Sequence, residues 1–397
     1  MPDDHAVLSP SSSERWLACP GSVAAQAAIT EPDVGNAASK DGTVAHGLLE
    51  VCLMFGFQPQ ELLGESLGLG DDMPPVVQHM IDGVQHALDY VEEYLDFYGR
   101  ENVMVLPEHR VYIGSMIGVG DDVCNGTSDI QLVHRDHTWL VTFDYKHGVV
   151  PVEAKDNTQM LLYTLGGIKE HGKFKNYKNV ICQPRAAKRR TIDEVEYKNG
   201  RLTMFIQEAS RAAQVALSPN APRVAGPHCR FCKASSNCQT FRRRVRQVAM
   251  DEFEEIKDPE EISPEKLNEI LQEVALLESW IKAIKARAIA HLQGGGALEN
   301  FVLGWGPRKR IFQEAANVIE WCKKRKLPLD AFMPRSLITP KQLETILKKH
   351  GMYPRAKRGE EKPDSPIAHL VGYTNPKPAL KSRTDAGDFE ALDDEEE

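Results

Sequence analysis

The hydrophobic pattern of the chain begins with helices. Apolar positions recur at helical spacing over residues 40–56 and 74–98. A shorter helix is predicted just before Cys19-Pro20, because the serines ahead of Glu14 favour a helix N-terminus and proline favours its end. The first hundred residues are therefore predicted to be helical.

The pattern then changes to short β-rich segments separated by Gly, Asn and Asp. The predicted strands are Val103–Leu106, Val111–Ile113, Asp129–Val133, Trp139–Lys146, Asn179–Gln183 and Leu202–Ile206. A hairpin turn is predicted at 134–137, and helices at 157–171 and 208–217. This order predicts an α/β (α+β) core with a mixed sheet behind a helical N-terminal region.

The C-terminal part returns to helices. A long helix is predicted from Ser263-Pro264 to the glycines at 294–296, because Ser and Pro suit the first turn and glycine stops a helix. We divide the chain into a core domain at 1–248, a mostly helical accessory region at 249–350 and a largely disordered acidic tail at 351–397, which is rich in proline and charge.

Charge and composition exclude few partners. The net charge is −9, but residues 385–397 hold eight acidic residues and no basic one. The remaining body is nearly neutral with basic runs, so the total does not argue against nucleic acid. No run of 18 apolar residues predicts a membrane helix, and the acidic start does not resemble a secretory signal, so a cytoplasmic location is expected.

The sharpest chemical signal is an ordered set of three motifs: Gly126-x-x-Asp129, Asp144-x-Lys146 and Gln159-x-x-x-Tyr163. Asp144 and Lys146 are two apart on a predicted strand and share a face. Carboxylates hold Mg²⁺ or Mn²⁺, which activates water, while a lysine can orient that water. Gln159 and Tyr163 share a helix face and could grip DNA. The set favours phosphodiester hydrolysis, although Asp-x-Lys alone is common on solvated strands.

These motifs resemble those of RecB-type nucleases in the PD-(D/E)XK superfamily, in which Asp144 replaces a frequent Glu. The resemblance implies a restriction-endonuclease-like core with a histidine on an upstream helix as an additional metal ligand. His46, in Gly42-Thr43-Val44-Ala45-His46, occupies that place. The metal ligands implied are His46, Asp129, Asp144 and the carbonyl of Tyr145, with Lys146, Gln159 and Tyr163 completing the catalytic set. Glu108 is a weaker candidate at the edge of the site.

Three of the eight cysteines are clustered at Cys229, Cys232 and Cys238. From spacing alone the cluster could hold a structural zinc, with His228 or a distant cysteine as fourth ligand, or an iron–sulfur cluster with four thiolates. Cys19 could supply the fourth thiolate. The other cysteines, among them Cys52, have no partner at ligand spacing and are interpreted as packing residues.

A family resemblance bears on this choice. Some RecB-type nucleases, including the helicase–nuclease AddB and CRISPR-adaptation nucleases, carry a [4Fe–4S] cluster held by one cysteine before the nuclease motifs and three after them. Cys19, Cys229, Cys232 and Cys238 reproduce that arrangement, which implies a structural cluster, with zinc as the weaker alternative. The opening Trp16-x-x-Cys19-Pro20 also resembles a phage-associated family of this type.

The sequence thus predicts a metal-dependent DNA nuclease, more an exonuclease than an endonuclease, that processes DNA ends in phage recombination or replication in a bacterial host cell. Basic residues predicted to contact phosphates are Arg185, Lys188, Arg189, Arg190, Arg242 and Arg243. Expected partners are DNA and a phage recombination or single-stranded-DNA-binding protein, with oligomerisation left open. The alternative is a non-catalytic DNA-binding or scaffold protein that retains a nuclease fold.

Overall fold

A computed structural model describes most of the chain. The described residues are 6–29, 37–70, 72–186, 190–253, 263–305, 310–328, 338–354, 364–374 and 378–382. The chain divides into two compact units, Met1–Trp280 and Ile281–Glu397, and each is treated by itself.

The helices of the described residues are α1 Ser13–Ala18, α2 Ser22–Ala27, α3 Ala37–Phe55, α4 Gln78–Tyr98, α5 Thr158–His171, α6 Asn199–Ala216, α7 Gln239–Phe253, α8 Pro264–Gln293, α9 Ala315–Lys324 and α10 Pro340–Lys349. The strands are β1 Val103–Tyr112, β2 Asn125–His134, β3 Trp139–Tyr145, β4 Asn176–Cys182, β5 Ile192–Tyr197, β6 Phe301–Trp305, β7 Arg310–Phe312, β8 Val371–Tyr373 and β9 Pro378–Ser382.

The first unit is built on a five-stranded sheet in the order β1-β2-β3-β4-β5. Only β3 and β4 are parallel, and α5 connects them, as a parallel pair requires a crossover. The other neighbouring pairs are antiparallel. The predicted α/β (α+β) class with a mixed sheet behind N-terminal helices is therefore confirmed.

Strand β1 contains a local irregularity at Glu108. This residue has a φ of 43°, and the ladder to β2 pairs Pro107 and His109 but leaves Glu108 unpaired. Side-chain alternation reverses there: Leu106 packs under α5, and so does Val111, although the two are five positions apart. The sequence pattern was interrupted at this point, which is why it predicted two short strands where the structure has one.

Two apolar clusters cover the two faces of the sheet. Helices α3 and α4 pack on one face through residues such as Leu48 and Val84, and α5, α6 and α1 pack on the other through residues such as Leu161 and Phe205. Helix α5 is capped at its N-terminus by Asn157, whose side chain accepts a hydrogen bond from the Met160 N–H. The sheet therefore places α3 and α5 on opposite sides of the ends of β2 and β3.

Helix α5 approaches β1 closely through Gly166. A Cβ built on Gly166 would lie 2.5 Å from the Cβ of Val111. Gly166→Ala should therefore lower the free energy of unfolding by about 1–3 kcal/mol, the usual cost of overpacking a core. Chemical denaturation measures this change. The matched control is Gly200→Ala in α6, where the added methyl meets open space and stability should stay level or rise. Equal effects at both positions would refute the packing argument.

Leu202–Ile206 is not a strand, so that prediction is wrong. The segment lies within α6, where Leu202, Phe205 and Ala209 are buried at helical spacing. The strand beside β4 is instead β5, whose alternating exposure is masked by charged residues. The apolar run at 202–206 resembled a strand because the other buried positions of α6 are mostly alanines, which are only weakly apolar and give a weak helical pattern.

The second unit has its own small core. Helices α9 and α10 enclose Val318, Trp321, Leu343 and Leu347, and β7 pairs with β8 while β6 pairs with β9. The core also includes Ile367 and Leu370, from the region predicted to be largely disordered. Residues 355–363, 375–377 and 383–397 lie outside the described residues, and the predicted disorder of the tail as a whole stays a prediction.

Within the described ranges, none of the helices combines the length and the apolar character that crossing a bilayer requires.

Candidate functional site

Three potential metal ligands converge at the middle of β1 and β2. One ligand atom each of His46, Glu108 and Asp129 lies within 4.8 Å of the others. His46 comes from α3, and its Nδ1 lies 3.3 Å from Oδ2 of Asp129. Glu108 stands opposite Asp129 at the irregular point of β1, so its backbone conformation brings it to the site. The sequence placed Glu108 only at the edge of the site.

Asp129 links this group to the next strand. Its Oδ2 accepts a hydrogen bond of 2.7 Å from the backbone N–H of Tyr145. Burial tends to raise the pKa of Asp129, but His46, Lys146 and the Tyr145 N–H outweigh it and hold the pKa below its ordinary value. Asp129 is therefore ionised and fixed in position. The role of the Tyr145 carbonyl as a metal ligand stays a prediction.

Asp144, Lys146 and Gln159 form the second half of the site. Oδ1 of Asp144 accepts hydrogen bonds from Nζ of Lys146 at 3.0 Å and from Nε2 of Gln159 at 3.1 Å. Nζ of Lys146 also donates to Oε1 of Gln159 at 3.4 Å. The predicted strand and helix motifs thus meet in space. Gln159 directly orients the acid–lysine pair, a contact that its expected role in gripping DNA did not include.

Asp144 is almost fully buried, with 1% of its side chain exposed. Burial, together with the nearby Asp129, raises its pKa, against the opposing charge of Lys146. Its Oδ2 lies 2.8 Å from Nζ of Lys146 yet accepts no well-directed hydrogen bond among the described residues. Burial lowers the pKa of Lys146, but the carboxylates of Asp144 and Asp129 raise it more. The net shift is upward, so the lysine is cationic.

The donor set fits a hard divalent cation. The candidate ligands are the carboxylates of Glu108 and Asp129 and the imidazole of His46. Asp144 adds a buried carboxylate oxygen that accepts no hydrogen bond among the described residues. Most of these ligand atoms are oxygens, which Mg²⁺ and Mn²⁺ prefer. The like charges of Glu108, Asp129 and Asp144 repel one another, and His46 and Lys146 compensate them only in part. A bound cation would relieve this repulsion.

Tyr163 lies one turn after Gln159 but is largely buried, with 5% of its surface exposed. It packs beside Gly126, where an added Cβ would lie 3.1 Å from its ring. Its backbone carbonyl accepts a hydrogen bond of 3.0 Å from Nε2 of Gln131. In this structure Tyr163 supports the site by packing, and its expected contact with DNA stays a prediction.

The charge state of Glu108 yields a pH prediction. Burial, followed by repulsion from Asp129, raises its pKa from 4.5 to about 7. Between these values the folded protein holds a proton that the unfolded chain has lost, so the free energy of unfolding should fall as pH rises through this window. Denaturation in the presence of a chelator should show this slope in the wild type and a smaller one in Glu108→Gln. Parallel pH profiles of the two proteins would contradict it.

Sequence reasoning missed a histidine pair beside the site. Nδ1 of His147 lies 2.8 Å from the hydroxyl of Tyr145, and the ring of His79 from α4 stacks on His147 at 5.2 Å. Burial, Arg185 and His79 lower the pKa of His147 to about 3, so it is neutral at physiological pH. The Lys146-His147 adjacency was visible in the sequence, but nothing there placed His79 nearby.

The cysteines predicted to bind a cofactor come from α1 and the segment after α6. Cys19 and Cys229 are buried, while Cys232 and Cys238 are partly exposed. The N–H of Val224 donates to Sγ of Cys19 at 3.2 Å. The N–H of Gly226 points at Sγ of Cys229 at 3.5 Å. Such donors suit thiolates. Among the described residues the cysteine sulfurs do not form a group of ligand atoms within 4.8 Å of one another, and the cofactor stays a prediction.

Backbone contacts bring the two cysteine segments together. Arg15 donates to the carbonyl of Phe231 at 2.9 Å, and the N–H of Gly21 donates to the carbonyl of Pro222 at 2.8 Å. His228, the other candidate for a fourth zinc ligand, has its Nε2 at 2.9 Å from the carbonyl of Val224. Cys19 and His228 therefore both stay candidates for the fourth ligand.

The family model described as "Protein of unknown function (DUF2800)" matches residues 5–387. The chain belongs to the DUF2800 family. Among solved structures, it is similar to a "Putative exonuclease" from Eubacterium rectale, with 11% identity and a TM-score of 0.34 over 66% of this chain and 92% of that one. It is also similar to the protein SSO0001, with 11% identity and a TM-score of 0.24 over 57% of this chain and 95% of that one.

The basic residues of this DUF2800 member are only partly described. Arg185 and Arg190 are exposed, and so are Arg242 and Arg243 on α7. Nη1 of Arg185 donates to the carbonyl of His147 at 3.4 Å, which puts this arginine beside the site. Lys188 and Arg189 lie outside the described residues. Contact with DNA stays a prediction for all six.

Proposed function

We propose that this protein is a divalent-metal-dependent deoxyribonuclease. The proposal rests on one hydrogen bond, which connects the candidate metal ligands to the strand that carries the acid–lysine pair. His46, Glu108 and Asp129 form a cluster of ligand atoms, and Asp129 accepts from the N–H of Tyr145, the residue between Asp144 and Lys146. A metal-ligand cluster that is fixed beside a buried acid–lysine pair suits metal-assisted phosphodiester hydrolysis.

Each residue has a role in this proposal. His46, Glu108, Asp129 and Asp144 would hold the cation, which when bound lowers the pKa of a water ligand and offsets phosphate charge. Lys146 keeps its ammonium toward the site, since Asp144 and Gln159 both accept from it, and there it orients a water molecule or meets the charge of the phosphate. Asp129 keeps His46 and the Tyr145 backbone in place.

We further propose that the substrate is linear DNA and that the protein is an exonuclease of the phage recombination or replication type. This rests on the resemblance of the motifs at Asp129, Asp144-x-Lys146 and Gln159 to RecB-type nucleases. The exposed Arg185 beside His147 supports a phosphate path that leads to the site.

The four cysteines are proposed to hold a [4Fe–4S] cluster that fastens α1 to the segment after α6. Buried Cys19 and Cys229, each facing a backbone N–H, support a structural role. Zinc is the alternative occupant. Iron and acid-labile sulfide analysis of anaerobically purified protein distinguishes the two.

The test is degradation of end-labelled linear duplex and single-stranded DNA with Mn²⁺ or Mg²⁺, beside closed circular DNA. We expect loss of linear DNA only, no loss with a chelator, and no loss with Asp144→Asn. The released label gives the polarity. Cleavage of circular DNA would replace exonuclease by endonuclease.

A wild-type protein that binds the metal but leaves every substrate intact would overturn the proposal. The alternative of a non-catalytic DNA-binding or scaffold protein would then apply, and a filter-binding measurement with the same labelled DNA would detect it.

A further inference from the structure

A second group of metal-type side chains lies away from the nuclease site, at the C-terminal end of α5. His109 from β1 meets Glu170 and His171 from α5, and one ligand atom of each lies within 4.8 Å of the others. None of the motifs discussed above includes these residues.

The carboxylate of Glu170 lies between the imidazoles of His109 and His171. Nε2 of His109 lies 2.8 Å from Oε2 of Glu170, and Nε2 of His171 lies 3.8 Å from Oε1. Each carboxylate oxygen thus faces one imidazole. Nε2 of His171 is buried and has no hydrogen-bond partner among the described residues. A buried polar atom without a partner costs about 1–3 kcal/mol, so its position calls for a ligand.

The backbone explains why His109 faces α5. The left-handed conformation of Glu108 reverses the alternation of β1, so Glu108 turns toward His46 of α3 while His109 turns toward α5. On the helix side, α5 ends at His171, and Gly172 with a φ of 88° turns the chain away. Both sides of the group are therefore fixed by regular elements and not by a loop.

We propose that His109, Glu170 and His171 bind a zinc-type divalent cation that ties β1 to the end of α5. Two imidazoles and one carboxylate form a donor set typical of Zn²⁺, with a fourth position for water. Mg²⁺ and Ca²⁺ prefer oxygen ligands throughout, so this site differs in chemistry from the oxygen-rich nuclease site. The side chain of Glu170 is 43% exposed, which gives a cation access from solvent.

The protonation of His171 agrees with this assignment. Burial lowers its pKa, Glu170 opposes this, and the nearby His109 and His137 lower the pKa further, so the net shift is downward. A neutral imidazole is the form that binds a metal.

The test is the zinc content of the full-length protein, stripped with a chelator and then dialysed against Zn²⁺. Because the cysteines and the nuclease site can also take up zinc, the informative quantity is a difference between variants. His109→Asn combined with His171→Asn should hold one zinc per chain fewer than the wild type. The matched control is His86→Asn, an exposed histidine on α4, which should lose none. Equal zinc content in wild type and double variant would overturn the proposal.

A milder variant keeps the test valid if the double variant does not fold. Glu170→Gln changes an exposed side chain without altering its size, so the fold should persist. Its zinc affinity, measured by competition with a chelating dye, should fall at least about 10-fold. Added Zn²⁺ should also raise the Tm of the wild type more than that of Glu170→Gln. Unchanged affinity in this variant would overturn the assignment of Glu170 as a ligand.

Discussion

Lys146→Met is expected to lower the rate of metal-dependent DNA cleavage by about 100–1,000-fold while DNA binding is retained. The ammonium of Lys146 is held by Asp144 and Gln159, so it is positioned before the substrate arrives. A preorganised charge of this kind typically contributes about that factor. Methionine keeps most of the length of the side chain, so the core should remain packed. Single-turnover cleavage of labelled linear DNA, beside a binding measurement, gives both quantities.

The control for this variant is Lys173→Met, which removes an exposed lysine just after α5. It should cleave at the wild-type rate. If Lys146→Met also cleaves normally, Lys146 is not part of the catalytic machinery. If Lys146→Met loses DNA binding to the same extent as cleavage, Lys146 contributes ground-state binding and not catalysis.

Cys229→Ser is expected to abolish the proposed iron–sulfur cluster and to lower the Tm of the first unit. Sγ of Cys229 is buried beside the N–H of Gly226, and the residue packs with Phe241 and Val245 of α7. Losing one thiolate releases the cofactor, and the binding free energy of a structural metal site, of the order of 10 kcal/mol in small domains, is linked to folding. Iron and sulfide content, together with thermal unfolding, measures the effect.

Cys52→Ala provides the comparison, because Cys52 belongs to α3, is buried in the apolar cluster of that face of the sheet and has no proposed ligand role. It should retain iron and sulfide and lose only a small packing contribution. Wild-type protein that contains zinc and no iron would replace the iron–sulfur proposal by the zinc alternative. Cys229→Ser with unchanged metal content would refute both.

Much of the fold was predictable where apolar residues recur with a single helical or strand period over a long segment. Helices α3, α4, α5 and α8 and strands β2 and β3 correspond to predicted segments because their apolar positions are regular. The failures occur where local chemistry interrupts the period. Glu108 divides the pattern of β1, and alanines weaken the helical signal of α6 around Leu202. Tertiary packing determines the structure of such segments.

The candidate site was predictable from motif order but not in its full composition. Asp144 and Lys146 share a face because the strand period is two, and the structure joins them to Gln159. Glu108 could not be given a central place, because its position depends on a left-handed φ that no neighbouring glycine signals. His79 of α4 stacks on His147, which follows β3, and a single sequence carries no signal for such a long-range contact.

The contacts of residues 15–26 with residues 222–233 join two segments that are synthesised far apart in time. Cys19 leaves the ribosome more than two hundred residues before Cys238. At about 5–20 residues per second, its thiol waits roughly 10–45 s for its partners. A chain that terminates early, within α6 for instance, retains every motif residue from His46 to Tyr163 but lacks three of the four thiolates. If these cysteines hold the proposed cofactor, its insertion would distinguish complete first units from truncated ones.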